Sequence, residues 1–148
     1  MSLKVIMVCT GNTCRSPMAE CLLKARLERL GIGGIEVRSA GLYAMDGAPA
    51  SLGARRAMRR RGLSLEGHAA RTFDPEEARG ALIVGMTQSH VDSIRQGFGL
   101  RAMTLGRLAG GMGDIADPFG GQDAEYERAA SQIERALEAI DWKKAAEL

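Results

Sequence analysis

The sequence predicts an α/β fold, one doubly wound parallel sheet of about four strands with helices between them. Three observations carry this. Residues 3–8, interrupted only by Lys4, and 81–86 form short apolar runs, as strands buried on both faces do. Stretches of helical period separate such runs, and glycines or capping residues stand at the breaks. Strands alternating with helices imply βαβ units with right-handed crossovers. Ligands are then expected at the carboxyl ends of the strands.

The elements follow in order. Residues 3–8 (LKVIMV) give the first strand, and 9–15 the loop after it. Ser16 is a good N-cap, with Pro17 at the first helical position, where its missing N–H costs nothing. Ala19, Leu23, Leu27 and Leu30 recur at helical spacing until Gly31. Ile35, Val37 and Ser39 alternate with Glu36 and Arg38 in a second strand ending at Ser39-Ala40-Gly41. Residues 49–61 read as a helix closed by Gly62, 81–86 as a third strand, and 88–95 as a short helix. Residues 100–105 make a weaker strand, and 106–121 are glycine-rich and irregular. A last helix runs from about residue 122 to near the C-terminus, with Tyr126, Ala130, Ile133, Leu137 and Ile140 on one stripe. Met7, Met18, Met58 and Met86 suit the core.

Composition narrows the function. A chain of 148 residues fits one domain, 1–148, with a substantial core. A net charge of +2 is too small to argue for nucleic acid, and no apolar run is long enough to span a membrane. No signal peptide is evident. Cys9, Cys14 and Cys21 are odd in number and clustered, which suits a reducing cytoplasm and a reactive thiol. A monomer is expected.

The chemistry concentrates in "CTGNTCRSP", residues 9–17. A loop of this length that runs into a helix N-terminus can turn its backbone N–H groups inward and bind an anion. Thr10, Gly11, Asn12, Thr13, Cys14, Arg15 and Ser16 would form the cradle. Gly11 and Asn12 tolerate left-handed backbone, and Arg15 offers a planar fork for two phosphate oxygens. Such surroundings favour a thiolate. Cys9 is then an in-line nucleophile on a bound phosphoryl group, by way of a cysteinyl-phosphate. Ser16 can hydrogen-bond Cys9 and stabilise it as a leaving group. The acid that protonates the departing group is best sought at Asp117-Pro118 in "GDIADPFGG", with Asp114 as competitor.

Cys9 to Pro17, Ser39-Ala40-Gly41, His-Ala-Ala-Arg at 68–71 and Asp117-Pro118 together resemble the low-molecular-weight protein-tyrosine-phosphatase family over nearly the whole chain. The resemblance implies a flavodoxin-like four-stranded parallel sheet with helices on both faces, and no metal or cofactor. It implies Cys9 as nucleophile, Arg15 as phosphate clamp and Asp117 as general acid. Asn12, Ser39 and His68 would hold the loop's shape. Phosphorylated proteins would be the substrates and inorganic phosphate the product.

The run from Cys9 to Glu20, with "DPFGG", is most similar to the bacterial protein-arginine phosphatases. Tyrosine-directed members commonly carry a bulky apolar residue where this chain has Thr13, and an aromatic residue or pair after Asp-Pro. Here Phe119 precedes Gly120 and Gly121. A hydroxyl at Thr13 can bond or orient a guanidinium, and Phe119 can stack on one. The competing reading of Thr13 is a loop residue that serves local backbone bonding only. A phosphotyrosine phosphatase, a phosphate-binding module and an arsenate reductase are the alternatives. The last needs thiols near 80–95, where there are none.

Cys14 is either loop packing or a resolving thiol that pairs with Cys9 on oxidation. Cys21 is expected in the core and His90 at the surface. Arg55, Arg56, Arg59, Arg60 and Arg61 form a basic cluster that reads as a solvated face, with docking of acidic partners as the alternative.

Overall fold

The computed structural model describes residues 2–147. In chain order the elements are β1 (Leu3–Cys9), α1 (Arg15–Leu30), β2 (Ile35–Gly41), α2 (Leu52–Arg60), α3 (Pro75–Ala78), β3 (Leu82–Gly85), α4 (Gln88–Phe98), β4 (Met103–Thr104), α5 (Leu105–Leu108), α6 (Asp123–Glu138) and α7 (Trp142–Ala146). The strands form one parallel sheet in the order β2-β1-β3-β4. This is the doubly wound flavodoxin-like architecture the sequence predicts. β1 lies inside the sheet, and its alternate side chains divide between two cores. Val5, Met7 and Cys9 pack with α1, α2 and α6, while Ile6 and Val8 pack with Phe73, Ala78 and Ile94 on the other face. The chain leaves β1 toward β2 on one side and later returns to β3 on the other. The carboxyl end of β1 is therefore the point where the winding reverses, a favoured ligand position.

Several local expectations are corrected. α1 begins at Arg15, with Cys14 rather than Ser16 at the N-cap and no side-chain cap. The Ser16 hydroxyl is committed elsewhere, to Cys9 and Asn12. Leu30 is half exposed, and Leu22 takes its place in the core. α2 starts at Leu52 rather than 49, because the Ser51 side chain accepts from Ala54 N and caps it there. The weak strand shrinks to two residues, since the Thr104 hydroxyl accepts from Arg107 N and starts α5. α3 is an addition, though its Asp74 cap and Pro75 were readable signals. The last helix is two helices. Asp141 caps α7, which buries Trp142 with its indole N–H on the Leu137 carbonyl.

All four methionines expected in the core are buried, whereas Cys21 is only half-buried. The arginine cluster is matched by Glu66, Asp123, Glu127 and Glu134, so it is a paired face. Among the described residues no helix is long and apolar enough to cross a membrane, and no group of side chains gathers to hold a metal ion.

Candidate active site

Cys9 is the last residue of β1, opposite Gly41 at the end of β2. A Cβ on Gly41 would lie 2.7 Å from the Thr10 carbonyl oxygen and 3.0 Å from Asn12 N. The bare glycine lets the loop 10–14 fold back over the sheet edge, which explains the Ser-Ala-Gly ending of β2. Within that loop the left-handed residue is Asn12, at φ 57°; Gly11, also expected to use that freedom, does not.

Asn12 is fully buried, and its side-chain amide and its carbonyl oxygen are all occupied. Its Nδ2 donates to Ser16 Oγ (2.8 Å) and Ser39 Oγ (3.0 Å). Its Oδ1 accepts from Arg71 N (3.0 Å), and its carbonyl lies 2.7 Å from His68 Nε2. The structure thus brings Asn12, Ser39 and His68 together. It adds Glu20, which accepts from Ser39 Oγ at 2.6 Å. An amide nitrogen only donates, so Ser16 Oγ accepts from Asn12 and keeps its own hydrogen. The nearer acceptor for that hydrogen is Cys9 Sγ at 2.9 Å, against 3.5 Å to the Ala40 carbonyl. A donor aimed at the sulfur stabilises negative charge on it.

Arg15 enters from the first turn of α1 and is only 5% exposed. Its Nη1 donates to the Ile115 carbonyl (3.1 Å), and its Nη2 lies 3.4 Å from Asp117 Oδ2. Its Nε is buried with no partner. An unpaired buried guanidinium N–H is costly. The N–H groups of Arg15 and Ser16 likewise carry no side-chain cap, and Pro17 has none to satisfy. Cys9, Thr10, Gly11, Thr13, Cys14, Arg15, Asp117 and Phe119 line one cavity of about 220 Å³. A larger groove, about 590 Å³, runs behind the loop past Glu20, Cys21 and Lys24 but contains neither Cys9 nor Asp117. Asp117 is half exposed and is steadied by accepting from Phe119 N (3.0 Å). Asp114 is drawn away, accepting from Gln88 N at the start of α4.

Cys14 Sγ sits 3.2 Å from Ser51 Oγ and 3.6 Å from the Tyr126 hydroxyl. Burial, then the neighbouring Cys14, pushes the Tyr126 phenol up despite a bond from Ser51. His90 departs most from expectation, since it is buried. Its Nδ1 faces Thr87 N (3.2 Å) and Thr87 Oγ1 (3.1 Å), and its Nε2 lies 3.0 Å from Thr10 Oγ1. Burial, followed by the nearby Arg15 charge, lowers its pKa to about 4, against the pull of Asp117 and Asp114. The Thr-x-x-His spacing at the start of α4 was the readable signal. Glu20, Ser51 and Tyr126 carried none, because only the tertiary fold brings them to the loop.

A family model described as low molecular weight phosphotyrosine protein phosphatase matches residues 4–147. The protein-arginine-phosphatase of Geobacillus stearothermophilus is 36% identical over 145 residues, covering 95% of each chain. That of Bacillus subtilis is 37% identical over 141 residues, covering 92% of this chain and 93% of the relative. Among solved structures, a low molecular weight protein tyrosine phosphatase from T. tengcongensis superposes with a TM-score of 0.88 at 34% identity, covering 93% of this chain and 97% of the other.

Proposed function

The chain belongs to the low molecular weight phosphotyrosine protein phosphatase family, and from that premise we propose that it hydrolyses phosphoarginine on proteins through a cysteinyl-phosphate on Cys9. The observation that carries the reading is the shared cavity. Thr13, Asp117 and Phe119 line the same cavity as Cys9 and Arg15.

In the first step the Cys9 sulfur attacks phosphorus in line, while Arg15 and the loop N–H groups hold the phosphoryl oxygens. The P–N bond breaks, and the Asp117 carboxyl gives its proton to the leaving nitrogen. A guanidine is strongly basic, so this transfer is needed for departure. In the second step water attacks phosphorus, its proton returns to Asp117, and the S–P bond breaks. The Ser16 hydroxyl stabilises the departing sulfur. Inorganic phosphate then leaves. Thr13 offers a hydroxyl to the guanidinium and Phe119 a ring face to stack on it.

Turnover of phosphoarginine and phosphotyrosine peptides in competition tests the reading, and phosphoarginine is expected to be preferred. Thr13→Ile should move the ratio toward tyrosine by about tenfold or more; an unchanged ratio overturns the role given to Thr13. Cys9→Ser should abolish turnover yet still bind phosphate, which separates an enzyme from a binding module.

A further inference from the structure

We propose that His90 is a positioning residue that turns the Thr10 hydroxyl hydrogen into the cavity, making Thr10 a donor to a bound phosphoryl oxygen. The inference rests on the phosphatase reading and extends it to two side chains outside the nucleophile, clamp and acid.

A proton inventory carries the argument. A backbone N–H can only donate, so His90 Nδ1, 3.2 Å from Thr87 N, must accept. The Thr87 hydroxyl, 3.1 Å away, faces the same lone pair, while its oxygen accepts from His90 N at 3.3 Å. The backbone contact fixes the tautomer with hydrogen on Nε2, and the hydroxyl contact is compatible with it. The ring is buried against a neighbouring arginine, which disfavours a second proton. The Nε2 hydrogen then points at Thr10 Oγ1, 3.0 Å away. Thr10 accepts there, and its own hydrogen must go elsewhere. Thr10 is exposed, and the cavity it lines holds Cys9 and Arg15, so a ligand oxygen is the waiting acceptor.

The arrangement also fixes where the group stands. α4 is tied to the acid-bearing segment through Asp114 on Gln88 N, and Ile115 N bonds the Met86 carbonyl. His90 therefore sets Thr10 from the same framework that carries Asp117.

The test is a phosphorus NMR titration of the full chain with inorganic phosphate, alongside kcat and KM. Thr10→Val, which keeps the shape and removes the hydroxyl, should weaken phosphate binding about tenfold. Thr10→Ser should recover most of that loss. His90→Phe should weaken phosphate by a similar factor, and the double variant should be no worse than Thr10→Val alone. In kinetics the loss should fall on KM more than on kcat. Losses that multiply in the double variant, or Thr10→Val with unaltered phosphate affinity, overturn the proposal. A parent chain that turns over peptides normally while Thr10→Val matches it in binding rejects this inference alone. A parent that neither binds phosphate nor turns over substrate rejects the phosphatase reading with it.

Discussion

Asn12 holds the loop after β1 in its shape. It is the one non-glycine among the described residues in left-handed backbone, and its side chain spans two serines and the Arg71 N–H. Asn12→Ala leaves those buried groups without partners and should cost about 2–4 kcal/mol, read as a lower urea midpoint. Asp117 is different, being half exposed and weakly tied. Asp117→Asn should leave the urea midpoint nearly unchanged and lower kcat by about 10²- to 10⁴-fold, with phosphate affinity held. An equal loss of phosphate affinity would make Asp117 a binding group instead. At this scale the sequence was readable where chemistry is contiguous, as in Cys9, Arg15 and Ser16. His90 was legible only in part: Thr-x-x-His announces the cap with Thr87, but nothing local shows that Thr10, 80 residues away, will close the other side of the ring.

At the scale of elements, the loop depends on two close approaches made by glycine. Gly41 admits the loop backbone against β2, and Gly53 in α2 admits the Tyr126 ring, which would lie 2.3 Å from an added Cβ. Gly41→Ala sets a methyl against backbone that cannot swing away. It should cost about 1–3 kcal/mol in thermal or urea unfolding and depress turnover, since the displaced atoms belong to Thr10, Gly11 and Asn12. Full activity with an unchanged midpoint would show that the loop has room to shift. Gly31 closed α1 as the sequence indicated. Three boundaries moved because a neighbouring hydroxyl or carboxylate took over the capping, as Ser51, Thr104 and Asp141 do. Local periodicity cannot choose between two plausible caps a few residues apart.

For the whole molecule, acid stability should report the burial of His90. The folded chain keeps this ring neutral down to about pH 4, while the unfolded chain protonates it near 6.5. Between those values the unfolded state binds more protons, so stability falls as pH falls, by up to about 3 kcal/mol. His90→Gln should flatten that slope in urea midpoints taken from pH 7 to pH 4.5; a slope equal to the parent's would locate the acid sensitivity elsewhere. Glu127 belongs to a lower window. Burial opposes its charge, but Arg60 and Arg61 hold it below the ordinary 4.5, so its contribution to stability is lost as pH falls through that lowered value. The parallel sheet and its winding were legible because buried strands leave continuous apolar runs. The join between the loop after β1 and the segment carrying Asp117 was not, since it is a bond between distant parts of the chain. Arg15 and the Ile115 carbonyl that steadies it are 100 residues apart. On a ribosome adding about 5–20 residues each second, Cys9 emerges several seconds before Ile115 can seat Arg15 or Asp117 exists. A nascent chain therefore carries the Cys9 thiol for that interval without the cavity that encloses it in the finished fold.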